Sequence, residues 1–287
     1  TRLRTVTGVQ TCALPISIVF QVLFGEQDKT ILAACGNRSI SICNLEEPNI
    51  QTLDHHKQAV TDLSMTWDGG MMVSASLDRT IRIWDTHSMQ TLRVLTGHAD
   101  DISAVAVSPD GGQVVSAGKD LSIRVWNITQ GDRGKIFAGH TGELWASAYN
   151  QDGSKMVCAG ADRVARIWDT KDGKELKKLV GHEAAISAVA WSRDGKLIAT
   201  AGGDRTIRIW DAASYGLIRT LQGHESTVTA LSFTPDSKLL ASGSLDQTAR
   251  IWNLTKNNEP EILNGHSGSV LALSFSPRDR KSTRLNS

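Results

Sequence analysis

Thr200–Asp211 reads TAGGDRTIRIWD, and the chain repeats it. SASLDRTIRIWD (Ser74–Asp85), SAGKDLSIRVWN (Ser116–Asn127), CAGADRVARIWD (Cys158–Asp169) and SGSLDQTARIWN (Ser242–Asn253) follow the same template at a spacing of 42 residues. A histidine keeps the same period upstream, at His56, His98, His140, His182, His224 and His266, and all but the first follow a glycine. Such a period means one supersecondary unit stacked on its neighbours, because a single unit cannot bury both of its faces alone. The 287 residues are therefore expected to form one domain rather than two.

Within a unit the pattern reads as four short strands. After His98, ISAVAV (Ile102–Val107) is apolar with small residues between, and SPDGG (Ser108–Gly112) is a turn. QVVSAG (Gln113–Gly118) is a second strand, Lys119-Asp120 a tight turn, and SIRVW (Ser122–Trp126) a third. KIFAG (Lys135–Gly139) is the fourth, and it leads to the next Gly-His. Gly-His at one end of a 42-residue unit and Trp-Asp at the other resemble the WD-repeat β-propeller family over nearly the whole chain. The resemblance implies an all-β fold, a β-propeller of four-stranded antiparallel blades, with six complete blades plus one strand of a seventh. Blade one is a degenerate Ile18–Leu53, with Asn37, Ala33 and Cys43 in place of Asp, Ser and Trp. After His266 only VLALSF (Val270–Phe275) follows the pattern, which fits a seven-bladed ring; an eight-bladed ring or a longer array is the alternative.

The two ends do not belong to the repeat. VTGVQTCALPI (Val6–Ile16) is one reading frame of a sequencing-library adapter, and DRKSTRLNS (Asp279–Ser287) is the partner adapter read outward. Residues 1–16 and 279–287 are therefore read as adapter-derived, as in a metagenomic fragment, and 17–278 as an incomplete propeller. Setting the ends aside removes five basic residues and one acid, taking the formal charge from +1 to −3. That balance points to neither nucleic acid nor an anionic membrane. No apolar run approaches a membrane span, and a cytoplasmic location is only the default expectation. Cys35, Cys43 and Cys158 stand where sister repeats carry Ser or Trp, so they read as buried substitutions rather than a disulfide or metal framework.

Five units bring a hydroxyl or thiol, a His and an Asp together: His56/Ser74/Asp78, His98/Ser116/Asp120, His140/Cys158/Asp162, His182/Thr200/Asp204 and His224/Ser242/Asp246. A catalytic triad is singular, with one nucleophile and one oxyanion site. A group repeated in every unit is scaffolding. The family resemblance implies that these residues, with Trp84, Trp126, Trp168, Trp210 and Trp252, form buried side-chain hydrogen-bond chains. Arg82, Arg124, Arg166, Arg208 and Arg250 precede each Trp by two and read as buried stems with paired heads. Asn127 and Asn253 open sequons at the Asp position of the motif and read as Asp variants. Along the innermost strands Asp62 is the one carboxylate, which makes no metal-ligand set. No catalytic, metal or cofactor residue is expected, and enzyme activity is not.

What remains is a surface. The fourth-to-first-strand loops and the second-to-third-strand turns share one rim face, where Lys57, Leu77, Asp101, Lys119, Glu143, Glu183, Glu225 and Leu245 stand. Four acids against two lysines favour a basic partner segment mildly, and a merely solvated rim is the simpler reading. Trp145 stands where the other regular units carry Thr61, Ser103, Ser187 and Thr229, so it is read as the single large aromatic at this place. Ser147, two residues on, replaces Val or Leu, so core compensation is the first reading and a partner anchor the second. The expected function is a non-catalytic protein–protein interaction scaffold, a rigid platform docking proteins or peptides. The alternative is a regulatory or sensory domain of a larger protein whose catalytic part lies elsewhere.

Overall fold

A computed structural model describes residues 18–25, 29–45, 49–66, 68–129, 134–256 and 258–275; both end segments read as adapter-derived lie outside them. Its strands form six antiparallel four-stranded sheets, each a simple meander. The degenerate first unit completes its sheet, with strands Val19–Phe24, Thr30–Cys35, Ile40–Asn44 and Ile50–Leu53. Blade two begins at Val60, and the regular blades follow in order to Glu261–Leu263. The first strands neighbour one another in sequence order, which sets the blades around an axis.

The second strand of every blade is buried on both faces, as in Leu197–Gly202, because a neighbouring blade packs on each side. Small residues there let sheets approach. The clusters accordingly lie between blades, each joining the Trp of one blade to the Ile and Ala of the preceding one. Fourth strands form the outer belt and leave Leu92, Ile136 and Ile218 more than half exposed.

The segment 270–275 lies beside blade six without forming the expected strand of a seventh blade. The Val270 N–H donates to the Ser244 carbonyl, Leu273 and Phe275 pack on Ala241, and Ala272 packs against Val22, Ala33 and Cys35 of blade one. A seventh inner segment thus touches blades six and one.

Two local devices position the rim. At each second-to-third turn the residue after Asp is left-handed: Arg79, Leu121, Arg163, Arg205 and Gln247 have φ between 61° and 68°. The Asp side chain offsets that strain by accepting from the backbone N–H two residues on, as Asp204 does from Thr206 at 3.1 Å. The glycine before His adopts a positive φ in blades three to six, a conformation that other side chains rarely take. A Cβ on Gly181 would stand 2.4 Å from Nη1 of Arg208, at a φ of +146°.

Candidate functional site

In blade five the strand register sets Thr200 across from Arg208, and Trp210 two residues on turns its indole back to Thr200. Trp210 Nε1 donates to Thr200 Oγ1 at 2.9 Å, Thr200 Oγ1 meets His182 Nε2 at 2.8 Å, and His182 Nδ1 meets Asp204 at 2.7 Å. The proton order follows. The indole can only donate, so the hydroxyl proton goes to Nε2, and a neutral His carries its proton on Nδ1, facing the carboxylate. Ser74, Ser116 and Ser242 sit in the same three-bond geometry in blades two, three and six. The histidines are buried. Desolvation lowers His98, His140, His182 and His224 below the usual imidazole range, against the opposing pull of each Asp. Burial alone would raise the Asp carboxyls, yet His and backbone N–H groups, joined by a hydroxyl in every blade but the fourth, hold all five below the usual range.

Blade four departs. Its thiol at Cys158 makes no such bond, and His140 Nε2 and Trp168 Nε1 are buried with no hydrogen-bond partner. His140 Nδ1 still meets Asp162 at 2.9 Å. Val164 replaces the Thr or Ser that bonds Asp in sister blades, and Arg166 Nη2 fills in at 3.3 Å while its Nη1 reaches Glu175 at 3.1 Å. The Arg heads of blades five and six instead lie against Gly181 and Gly223. None of the buried thiols Cys35, Cys43 and Cys158 is in a disulfide.

Asp62 is a structural junction. It accepts from Gln21 Nε2 of blade one at 3.1 Å, from its neighbour Leu63 N–H at 2.8 Å and from Val105 N–H of blade three at 2.8 Å. Burial raises its carboxyl to about 7 against those three bonds. A folded-state value above the unfolded one gives a contribution to stability that is full at low pH and lost as pH rises through about 7. Between about pH 5.5 and 8 the native chain is therefore expected to lose about 2 kcal/mol more stability than Asp62→Asn. The lowered histidines act with the opposite sign below their unfolded range, but equally in both proteins. Parallel urea-midpoint profiles for the two would contradict this.

At the rim-face mouth of the axis, every first strand carries a bulge. The register passes from Leu144↔Gly160 to Ala146↔Ala159, leaving Trp145 without a partner. Phe20, Thr61, Ser103, Ser187 and Thr229 are the equivalent extra residues. A bulge re-aims its side chain. Thr61 Oγ1 donates to the Ile102 carbonyl of the next blade at 2.7 Å, and Ser187 and Thr229 do likewise to Val228 and Val270. Trp145 has no hydroxyl for such a strut, and the residue is 38% exposed. The core-compensation reading is thereby corrected: Trp145 is not core, and Ser147 faces Cys158 with its buried hydroxyl unpartnered. Nor is Trp145 the single large aromatic at this place, since Phe20 is 37% exposed at the equivalent bulge of blade one. The degenerate unit hid it; only alignment on the bulge reveals it.

The other rim residues stand as follows. Lys57, Lys119, Glu183, Glu225 and Leu245 are exposed, and Leu77, Asp101 and Glu143 half-buried. Lys119 is tied to Asp101 at 2.9 Å. The exposed Arg79, Arg163 and Arg205 on the turns even out the acidic bias read from the loops alone. At the other end of the axis a cavity of about 400 Å³ is lined by Phe24, Tyr149, Trp191, Phe233 and Phe275; among the described residues Arg193 is its one charged group, and they supply no carboxylate, imidazole or thiol. Among the described residues no three His, Cys, Asp or Glu side chains are grouped to hold a metal ion.

A family model described as WD domain, G-beta repeat matches residues 47–85, 89–127, 131–169, 173–211 and 215–253. Eukaryotic translation initiation factor 3 subunit I of Culex quinquefasciatus is 30% identical over 76 residues, 26% of this chain and 23% of that protein. A WD40 repeat-containing protein of Dictyostelium discoideum is 36% identical over 73 residues, 24% of this chain and 11% of that one. WD repeat-containing protein 18 of Bos taurus is 46% identical over 41 residues, 14% and 10% of the two chains. The matched stretches span less than a quarter of the length of these relatives.

Proposed function

Since the chain belongs to the WD-repeat family, whose propellers are generally protein-interaction scaffolds and typically non-catalytic, we propose that it docks protein or peptide partners on its rim face, around the mouth of the axis. One observation carries this reading: Trp145 and Phe20, each more than a third exposed, occupy bulges whose sisters are small hydroxyl residues. Aromatic anchors of this kind dominate interface energies because they bury much area at small entropic cost. Leu121 and Leu245, 41% and 39% exposed, extend the apolar surface over the turns of blades three and six.

The chain acts as a rigid platform and performs no chemistry of its own. A photo-crosslinking amino acid at Leu245 on the rim face should capture the partner, whereas one at Leu92 on the outer belt should not. Capture from Leu92 alone would place docking on the belt and refute the proposal.

A further inference from the structure

We infer that the Trp145 corner of the rim-face mouth receives an arginine side chain of the docked segment; this rests on the docking reading above and specifies its chemistry. The corner has an aromatic face and a carboxylate side by side. Trp145 Nε1 donates to Glu143 Oε2 at 3.4 Å, which sets the carboxylate at the edge of the exposed ring. From blade three, Asp101 and Asp100 act on Lys119, as Glu143 does from blade four.

A cation is already held there. Lys119 Nζ bonds Asp101 at 2.9 Å with its side chain 42% exposed. That hydrogen bond first, then the charges of Asp101, Glu143 and Asp100, raise Lys119 above the usual lysine range. Three carboxylates share one lysine, so the corner keeps an excess of negative charge. Arg163 stands on the second-to-third turn, farther from the axis than the bulged first strand.

A guanidinium suits this arrangement better than an ammonium. It is planar, stacks on an indole face, and forks its donors toward a carboxylate at the ring edge. A neutral apolar side chain would cover Trp145 but desolvate Glu143 without recompense. Long-range attraction by the same carboxylates makes the contact salt-dependent.

The test is an NMR titration of the full chain, at low salt, with N-acetyl-arginine amide and its uncharged citrulline analogue, following the Trp145 indole N–H. The arginine probe should give a saturable shift, and citrulline should bind several-fold more weakly. Glu143→Gln should weaken the arginine probe about three- to fivefold, as expected for an exposed charge contact. Trp145→Ala, read on the backbone amides of residues 143–146, should abolish the response. Equal binding of both probes, no saturable shift, or indifference to Glu143→Gln overturns the inference. The docking reading itself is decided separately, by crosslinking from Leu245, so the two can fail independently.

Discussion

Thr200→Val is expected to destabilise the protein by about 2–4 kcal/mol, because it orphans two buried polar groups at roughly 1–2 kcal/mol each. The exchange nearly preserves volume, so the loss isolates the hydroxyl. That oxygen accepts from Trp210 and faces His182 Nε2, and the residue is fully buried. Water cannot replace it. The reciprocal experiment exists within the same ring. Cys158→Ser would give His140 Nε2 and Trp168 Nε1 the partner they lack, and should stabilise by about 1–3 kcal/mol. Urea unfolding of both variants checks the pair. A Thr200→Val variant as stable as the parent would show that the bonded chain contributes nothing net, and a destabilising Cys158→Ser would point the same way.

Trp145→Ala is expected to weaken partner affinity by about 2 kcal/mol or more, roughly 30-fold in Kd, with the melting temperature little changed. The separation of the two readouts follows from the position. The residue is 38% exposed, pairs with nothing across the sheet, and makes one long side-chain bond to Glu143. Little folded-state packing is lost when it goes. Calorimetric titration with the crosslinked partner, once isolated, reads the affinity, and thermal unfolding of the free protein reads the stability. Unchanged affinity with a lowered melting temperature would return Trp145 to a structural role.

Much of this protein follows from local chemistry and was readable in the amino-acid order. The 42-residue period, the Asp that satisfies its own turn, and the glycine before five of the six motif histidines are properties of one unit, repeated. Fixed spacing also places the chain members together: His precedes its hydroxyl partner by 18 residues and its Asp by 22, and Trp follows the hydroxyl by 10. Any unit that folds as four strands must bring them into reach. The rim mouth was decided differently. Alternation along a strand puts Trp145 and Ser147 on one face, and from that parity the pair looks like a volume exchange in the core. The bulge inserts one residue, breaks the parity, and turns Trp145 outward while Ser147 stays across from Cys158. It also equates Phe20 with Trp145, across units whose sequences scarcely match. Asp62 likewise looks like a lone carboxylate in the sequence. Only the ring brings Gln21 and Val105, from blades on either side, to its two oxygens. Contacts between blades depend on how sheets stack about an axis, and neither period nor propensity specifies what a neighbouring sheet will present.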